Sequence, residues 1–189
     1  DMEGRMTVHV LADERMDRHT TFHIGGPARV FIACQTLNDL SRAIDYAQDN
    51  HIPWRVVGKG SNILCADSGY DGIVITLGAE FRKFTYLEGG RLVAGGGANL
   101  GRLVNDAFGK CLSGLEFGIG IPGTVGGAVF MNAGVHDAWV AQTIESVTVL
   151  RPGRGLFRYR PGDLPWYYRS AGIPDDEIIV EATFAVHEE

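Results

Sequence analysis

The sequence lacks several patterns that would assign it to a common class of protein. It has no run of Lys and Arg, and 17 basic residues against 23 acidic ones give a formal net charge of −6. Because phosphate neutralisation dominates nucleic-acid binding, this charge argues against a nucleic-acid partner. No apolar run reaches the roughly 20 residues of a membrane-spanning helix. We therefore expect neither nucleic acid nor membrane among its partners.

Cysteine is also scarce, with only Cys34, Cys65 and Cys111 and no C-x-x-C motif. We interpret all three as small buried hydrophobic residues in a reducing compartment, which predicts a cytoplasmic protein; a catalytic thiol is the less favoured alternative. His19 and His23 lack the spacing of metal ligands, so no metal site is predicted. No repeat occurs at solenoid periods.

Glycine, in contrast, is abundant, with 26 copies in 189 residues, about twice its usual share. Many of these glycines lie in three clusters, "GKGSN" (58–62), "AGGGANLG" (94–101) and "GIGIPGTVGGAVFMNAG" (118–134). The first cluster has neither the spacing of a Walker loop nor that of the G-x-G-x-x-G fingerprint. Since glycine loses the most entropy on ordering, the clusters predict places where bare main chain is needed.

The hydrophobic pattern predicts an alternation of strands and helices. A strand over 28–34, a helix capped by Thr36 and strands over 52–58 and 72–78 indicate a βαβ unit with a right-handed crossover. A boundary near 80–84 precedes a second strand and a helix capped by Asn99. The remaining predictions are a helix or arm over 1–20, a hairpin bending at 152–155, a closing strand over 177–186 and an apolar face on the second helix: Leu100, Leu103, Val104, Ala107, Phe108 and Cys111.

Each glycine cluster admits two interpretations. The first is an anion-binding nest or a plain hairpin turn, and the second is a ligand loop or ordinary loop chemistry before a helix cap. In the third, Pro122 is expected to start a helix whose free N–H groups lie at Gly123 and Thr124, while Gly126 and Gly127 leave room for a ring or phosphate. Tight helix packing is the alternative there. Three such clusters together favour one extended dinucleotide that all of them face.

The order of several motifs then carries a resemblance that covers residues 19 to 186. These motifs are "HTTFHIGGPA", "VVGKGSN", "GIVITL", "GLEF", "GIPGTVGGAVFMNAG", "YYRS" and "IIVEATF". The chain resembles the UDP-N-acetylenolpyruvoylglucosamine reductase family. This resemblance implies an α+β, two-subdomain FAD-binding fold of the vanillyl-alcohol oxidase type, with FAD clasped between the subdomains. The implied organisation is an N-terminal arm (1–18), subdomain 1 (19–83) and subdomain 2 (84–189), without the family's C-terminal substrate domain.

The resemblance also implies roles for particular residues. It assigns Arg169, preceded by Tyr168, as catalytic, because a guanidinium can stabilise the enolate-like charge that develops beside a carboxylate. The "NAG" tail of the third cluster contributes Asn132 as a further residue implied for FAD binding. The residues implied for FAD are Gly58, Lys59, Gly60, Ser61 and Asn62 at the pyrophosphate, and Gly123, Thr124, Gly126 and Gly127 beside the flavin and its phosphates.

The implied activity is the NADPH-dependent reduction of UDP-N-acetylglucosamine enolpyruvate to UDP-N-acetylmuramate in peptidoglycan synthesis. This chain alone is expected to be incomplete for turnover. It departs from the family pattern in "YRSAGI" and in "VHDAW", where His136 is interpreted as exposed and a contact with substrate is the less favoured alternative. Two alternatives remain open: a standalone flavin-binding module without this activity, and an oxidase whose FAD is attached through a His or Cys near the pyrophosphate loop, with Cys65 as the nearby thiol.

Overall fold

The computed structural model describes residues 9–188, which divide into two compact units. The first unit ends at Glu80 and the second begins at Phe81. Each unit has its own β-sheet and is described by itself below. Across the described residues, none of the helices has both the length and the apolar character needed to cross a lipid bilayer.

The first unit is a four-stranded sheet in the order β1-β2-β4-β3, with one long helix. Strands β2, β4 and β3 run parallel, while β1 pairs antiparallel with β2. The predicted helix cap is confirmed, because Thr36 and Asp39 form a reciprocal capping box. The elements are β1 (His9–Arg15), β2 (Pro27–Cys34), α1 (Leu37–Asp49), β3 (Trp54–Val56) and β4 (Tyr70–Leu77).

Two local expectations for this unit are wrong. The start of the chain was expected to be a helix or an arm, yet residues 9–15 form β1, and residues 1–8 lie outside the described part. This strand is mostly exposed and is held by main-chain bonds to β2, so it shows no hydrophobic period. The loop over 57–69 joins two parallel strands, which excludes the hairpin alternative for the first glycine cluster.

The second unit is a five-stranded antiparallel sheet in the order β11-β10-β12-β6-β5. The predicted closing strand is β12, and it lies in the middle of this sheet. Two short pairs, β7 with β13 and β8 with β9, complete the unit. The elements are β5 (Phe84–Leu87), β6 (Arg91–Gly95), α2 (Leu100–Gly109), β7 (Leu112–Ser113), α3 (Val125–Phe130), β8 (Gly134–Val135), β9 (Ala138–Trp139), β10 (Ile144–Arg151), β11 (Gly155–Tyr159), β12 (Ile178–Ala185) and β13 (His187–Glu188).

The core of the second unit lies between the sheet and the two helices. Asn99 caps α2 by accepting a bond from the N–H of Arg102 at 3.0 Å, as predicted. The rings of Phe117 and Phe184 stack with centroids 5.8 Å apart in this core. Phe108, expected on the apolar face, is 40% exposed. The buried face of α2 consists of Leu100, Leu103, Val104 and Ala107.

The cysteines differ in exposure, so the expectation that all three are buried is only partly correct. Cys34 is buried, and burial raises the pKa of its thiol to about 12. Cys65 is half-buried. Cys111 is exposed, because α2 ends at Gly109 and the chain turns at Cys111 with φ of 56°. A thiol beyond the end of a helix cannot share its apolar face.

Candidate cofactor and catalytic site

The first glycine cluster forms a turn in the loop between β3 and β4. Gly58, Lys59 and Asn62 are exposed, Ser61 is half-buried and Gly60 is buried. Gly60 has φ of 64°, in the left-handed region that glycine enters without steric cost. Turns of this kind can direct successive N–H groups to one side and so bind an anion. The loop therefore offers accessible main chain that suits a phosphate.

Residues 19–21 support this turn, although the sequence alone gave them no role. The N–H of Thr21 donates to the carbonyl of Gly60 at 3.1 Å, and a Cβ at Gly60 would collide with the carbonyl oxygen of His19. The His19 ring stacks on Phe31 with centroids 4.1 Å apart, and its Nε2 lies 2.9 Å from Oε1 of Glu14. The "HTT" motif is therefore the support on which the turn rests.

We expect Gly60→Ala to lower the free energy of unfolding by about 2 kcal/mol or more, since alanine is strained at this φ and its Cβ meets His19. The displaced turn should also bind FAD less tightly. Chemical denaturation measures the first effect, and titration with FAD the second. The matched control is Gly162→Ala, where a Cβ meets nothing within 4 Å and the change should stay within about 0.5 kcal/mol. Equal stability of the two variants would contradict this account.

The second and third glycine clusters meet inside the second unit. Asn99, the cap of α2, and Thr124, the cap of α3, form an antiparallel bridge, so the two helices begin side by side. Both helix N-termini carry partial positive charge that favours an anion. The main-chain bonds that join the clusters are Val125 N–H to Ala98 O at 2.9 Å, Gly126 N–H to Gly96 O at 2.8 Å and Leu100 N–H to Gly123 O at 3.2 Å.

Helix α3 begins later than the sequence predicted. Its first residue is Val125, and the Oγ1 of Thr124 caps it by accepting from the N–H of Gly127 at 3.3 Å. Gly123 has φ of 144°, which is not helical. The prediction that Pro122 starts the helix is therefore wrong, because the residues after it pair with the neighbouring loop instead of coiling.

The adjacent residues Gly126 and Gly127 have different surroundings. Gly126 is buried, and a Cβ there would lie 2.9 Å from the carbonyl oxygen of Gly96. Gly127 is exposed, and a Cβ there would meet only Oγ1 of Thr124 at 3.4 Å. Gly126 therefore permits close packing within the protein, the alternative kept open for this cluster. Gly127 leaves open space.

Arg169 lies in a tight turn that closes on itself. The N–H of Tyr167 donates to the carbonyl of Ser170 at 2.8 Å, and the N–H of Ser170 donates back at 3.2 Å. Nη1 of Arg169 donates to the carbonyl of Gly134 at 3.2 Å. The guanidinium also lies 5.4 Å from the ring centroid of Tyr168, a residue that is 90% exposed. The arginine is thus held in place while remaining accessible.

Asn132 is buried, and its side chain contacts protein at both polar atoms. Nδ2 donates to the carbonyl of Tyr167 at 3.0 Å, and Oδ1 accepts from the N–H of Ala141 at 3.1 Å. The "NAG" tail therefore meets the arginine turn twice, through the Asn132 amide and through the Gly134 carbonyl. Sequence reasoning placed Asn132 beside the cofactor and missed this contact, because its partner lies 35 positions away.

Positive φ angles are concentrated in the segment after α3 and around the arginine turn. Of the eight non-glycine residues in the described chain with positive φ, half lie in the segments 132–136 and 166–169. Such conformations cost free energy and collect where function requires a particular geometry. His136 is exposed, as the sequence analysis expected. The four residues are Asn132 at 43°, His136 at 51°, Trp166 at 44° and Arg169 at 58°.

The "GLEF" motif secures the start of the third cluster. Both carboxylate oxygens of Glu116 accept from the N–H of Gly114, at 3.0 and 2.9 Å. Partial burial acts to raise the pKa of Glu116, but this main-chain donor, together with Ser113, lowers it below its usual value. Glu116 therefore stays ionised and holds the chain just ahead of residue 118.

Known proteins resemble this chain over most of its length. Residues 28–157 match the model of the FAD binding domain family. A UDP-N-acetylenolpyruvoylglucosamine reductase from Clostridium botulinum is 40% identical over 182 residues, which are 95% of this chain and 58% of that protein. The relative from Pelobacter propionicus is 39% identical over 93% of this chain and 59% of its own length. The chain thus spans less than two thirds of the curated relatives it matches.

Solved structures extend the comparison to the fold. The UDP-N-acetylenolpyruvylglucosamine reductase of Thermus caldophilus aligns with a TM-score of 0.82 and 36% identity, over 98% of this chain and 64% of that one. The 6-hydroxy-D-nicotine oxidase of Arthrobacter nicotinovorans aligns with a TM-score of 0.72 at 21% identity, over 97% of this chain and 43% of that one, and shows the fold alone.

These matches confirm both the resemblance inferred from the motifs and the predicted fold class, an α+β FAD-binding fold of the vanillyl-alcohol oxidase type. The family match covers more than half of the chain and includes all three glycine clusters. The chain therefore belongs to the FAD binding domain family, and its cofactor is FAD.

Proposed function

We propose that this chain is the FAD-binding part of an NADPH-dependent reductase that converts UDP-N-acetylglucosamine enolpyruvate to UDP-N-acetylmuramate. The reaction belongs to peptidoglycan synthesis in the cytoplasm, and the substrate is a small UDP-sugar enolpyruvyl ether. The observation that carries the proposal is Arg169, which is accessible and held in a strained turn by the segment after α3. The names of the relatives from Clostridium botulinum and Thermus caldophilus support the substrate class.

The residues present fit FAD. Exposed main chain at Gly58 and Lys59 suits a pyrophosphate, with Ser61 and Asn62 adjoining it. In the second unit, Gly127 leaves space that a side chain would fill. Gly123 and Thr124 precede α3 beside it and complete the proposed cofactor set, together with Gly60 and Gly126, which shape the main chain. The side chain of Asn132, which the resemblance implies for FAD, is bonded to main chain at both polar atoms and is left out of this set.

FAD, when bound, would carry hydride from NADPH to C3 of the enolpyruvyl group, and a proton taken up at C2 would complete the reduction. The proposed role of Arg169 is to stabilise the negative charge that develops on the reacting substrate. As C3 gains hydride, negative charge builds next to the substrate carboxylate, and the fixed fork of guanidinium donors stabilises it. The contact between Nη1 and the Gly134 carbonyl sets the direction of that fork before substrate arrives.

Two measurements test the proposal. The first is the absorption spectrum of the purified 189-residue chain, where we expect flavin bands with incomplete occupancy and little turnover. The second is NADPH oxidation by the product of the complete reading frame that contains these residues, which should depend on the enolpyruvyl substrate. Flavin bands without substrate-dependent NADPH oxidation by that product would favour the standalone module. Full-rate turnover by the 189-residue chain would contradict the expectation that this chain alone is incomplete for turnover.

A further inference from the structure

We propose that Asn132 is a positioning residue that sets the location of Arg169. This inference rests on the proposed function, in which Arg169 stabilises the charge that develops on the substrate. It gives Asn132 a role different from a contact with FAD. The hydrogen bond from the Asn132 amide to the carbonyl of Tyr167 is called the tie below. It links the segment after α3 to the main chain of the arginine turn.

Three hydrogen bonds join residues 130–134 to residues 167–171, and their donors come alternately from the two segments. Ala171 N–H donates to Phe130 O at 2.9 Å, Asn132 Nδ2 donates to Tyr167 O at 3.0 Å, and Arg169 Nη1 donates to Gly134 O at 3.2 Å. The outer two bonds hold the end of the turn and the tip of the arginine. Of these three bonds, only the Asn132 bond reaches Tyr167, at the beginning of the turn.

The tie has its effect through the carbonyl of Tyr167. This oxygen accepts from Nδ2 of Asn132 and from the N–H of Ser170, the bond that closes the turn. A carbonyl has two lone pairs, so both donors can be satisfied. Because Arg169 has φ of 58° inside this turn, a loosened turn can relax toward ordinary φ values. The guanidinium would then leave its place.

Asn132 suits this task in two further respects. Its φ of 43° lies in the left-handed region, which asparagine tolerates better than most residues. The residue is only 8% exposed, and both polar atoms of its side chain are bonded to main chain, so the amide is held in one orientation. A rigid anchor next to the functional group is what a precise catalytic geometry requires.

Three variants separate the possible roles. Asn132→Asp keeps the shape and the acceptor for Ala141 but turns a carboxylate oxygen toward the Tyr167 carbonyl, so the tie is lost. Asn132→Gly keeps the left-handed φ and removes the side chain. The matched control is Asn50→Asp, which changes an exposed asparagine whose Nδ2 also donates to a main-chain carbonyl, that of Tyr46, at 2.8 Å.

The decisive measurement divides the reaction in two. In the product of the complete reading frame, we expect both Asn132 variants to slow reoxidation of the reduced flavin by the enolpyruvyl substrate about 10- to 100-fold. Reduction of the flavin by NADPH and the FAD content should stay near those of the wild type. Combining Asn132→Asp with Arg169→Ala should slow reoxidation no further than Arg169→Ala alone, because both changes remove the same contribution.

Hydrogen exchange provides a readout that needs no activity. In Asn132→Asp, peptides that cover residues 166–171 should exchange faster than in the wild type and in Asn50→Asp. Wild-type reoxidation rates, or loss of FAD with unchanged exchange in this region, would overturn the inference. If the wild-type protein shows no substrate-dependent reoxidation, the proposed function fails, and exchange in residues 166–171 still decides whether Asn132 holds the turn.

Discussion

The variant Arg169→Ala should bind FAD as the wild type does and reduce the enolpyruvyl substrate about 10²- to 10³-fold more slowly. Alanine has a Cβ like arginine, so the strain at φ of 58° is the same in both proteins and the turn should persist. The lost contribution is the oriented guanidinium alone. Steady-state NADPH oxidation at saturating substrate, in the product of the complete reading frame, measures the effect.

Arg169→Lys sharpens this test. Lysine keeps the positive charge but not the planar fork, and its ammonium need not contact the Gly134 carbonyl. We expect it to recover only a small part of the lost rate. The control is Arg158→Ala, which removes an exposed arginine whose ion pair with Glu181 is long, at 3.8 Å, and so contributes little. An Arg169→Ala enzyme as fast as Arg158→Ala would remove Arg169 from the mechanism.

The second large effect is expected for Gly127→Leu, which should fold normally and fail to take up FAD. A leucine side chain at this exposed helical position enters the open space that the cofactor is proposed to occupy. Leucine has the higher helix propensity, by nearly 1 kcal/mol, so thermal stability should not fall. Flavin absorbance after incubation with FAD and gel filtration measures uptake, and a thermal melt of the apo protein measures folding.

The neighbouring variant Gly126→Leu should instead lose folding stability. Its side chain would be forced against the main chain of Gly96, so the apo protein itself should be destabilised by about 1–3 kcal/mol or more. Loss of flavin in this variant would therefore report damage to the fold as well as to the site. A stable Gly127→Leu protein with wild-type flavin absorbance would exclude this end of α3 from the cofactor site.

Much of the local structure could be predicted because it depends on residues a few positions apart. The caps at Thr36 and Asn99 follow from a polar side chain beside an apolar period, and the bend at 152–155 follows from Pro and Gly. Strand β1 was missed because it depends on residues that lie farther away along the chain. Its stability comes from main-chain bonds to β2, and such bonds leave no periodic trace in the sequence.

By itself, the sequence determined the class of the protein: the order of its motifs and its three glycine clusters indicated an FAD-binding chain with a candidate catalytic arginine. Only the tertiary structure distinguished Gly126 from Gly127, because neighbouring residues on a helix face directions about 100° apart. Only the tertiary structure placed the amide of Asn132 against the turn of Arg169. Contacts between residues far apart along the chain arise when the backbone folds back on itself, and no local pattern records them.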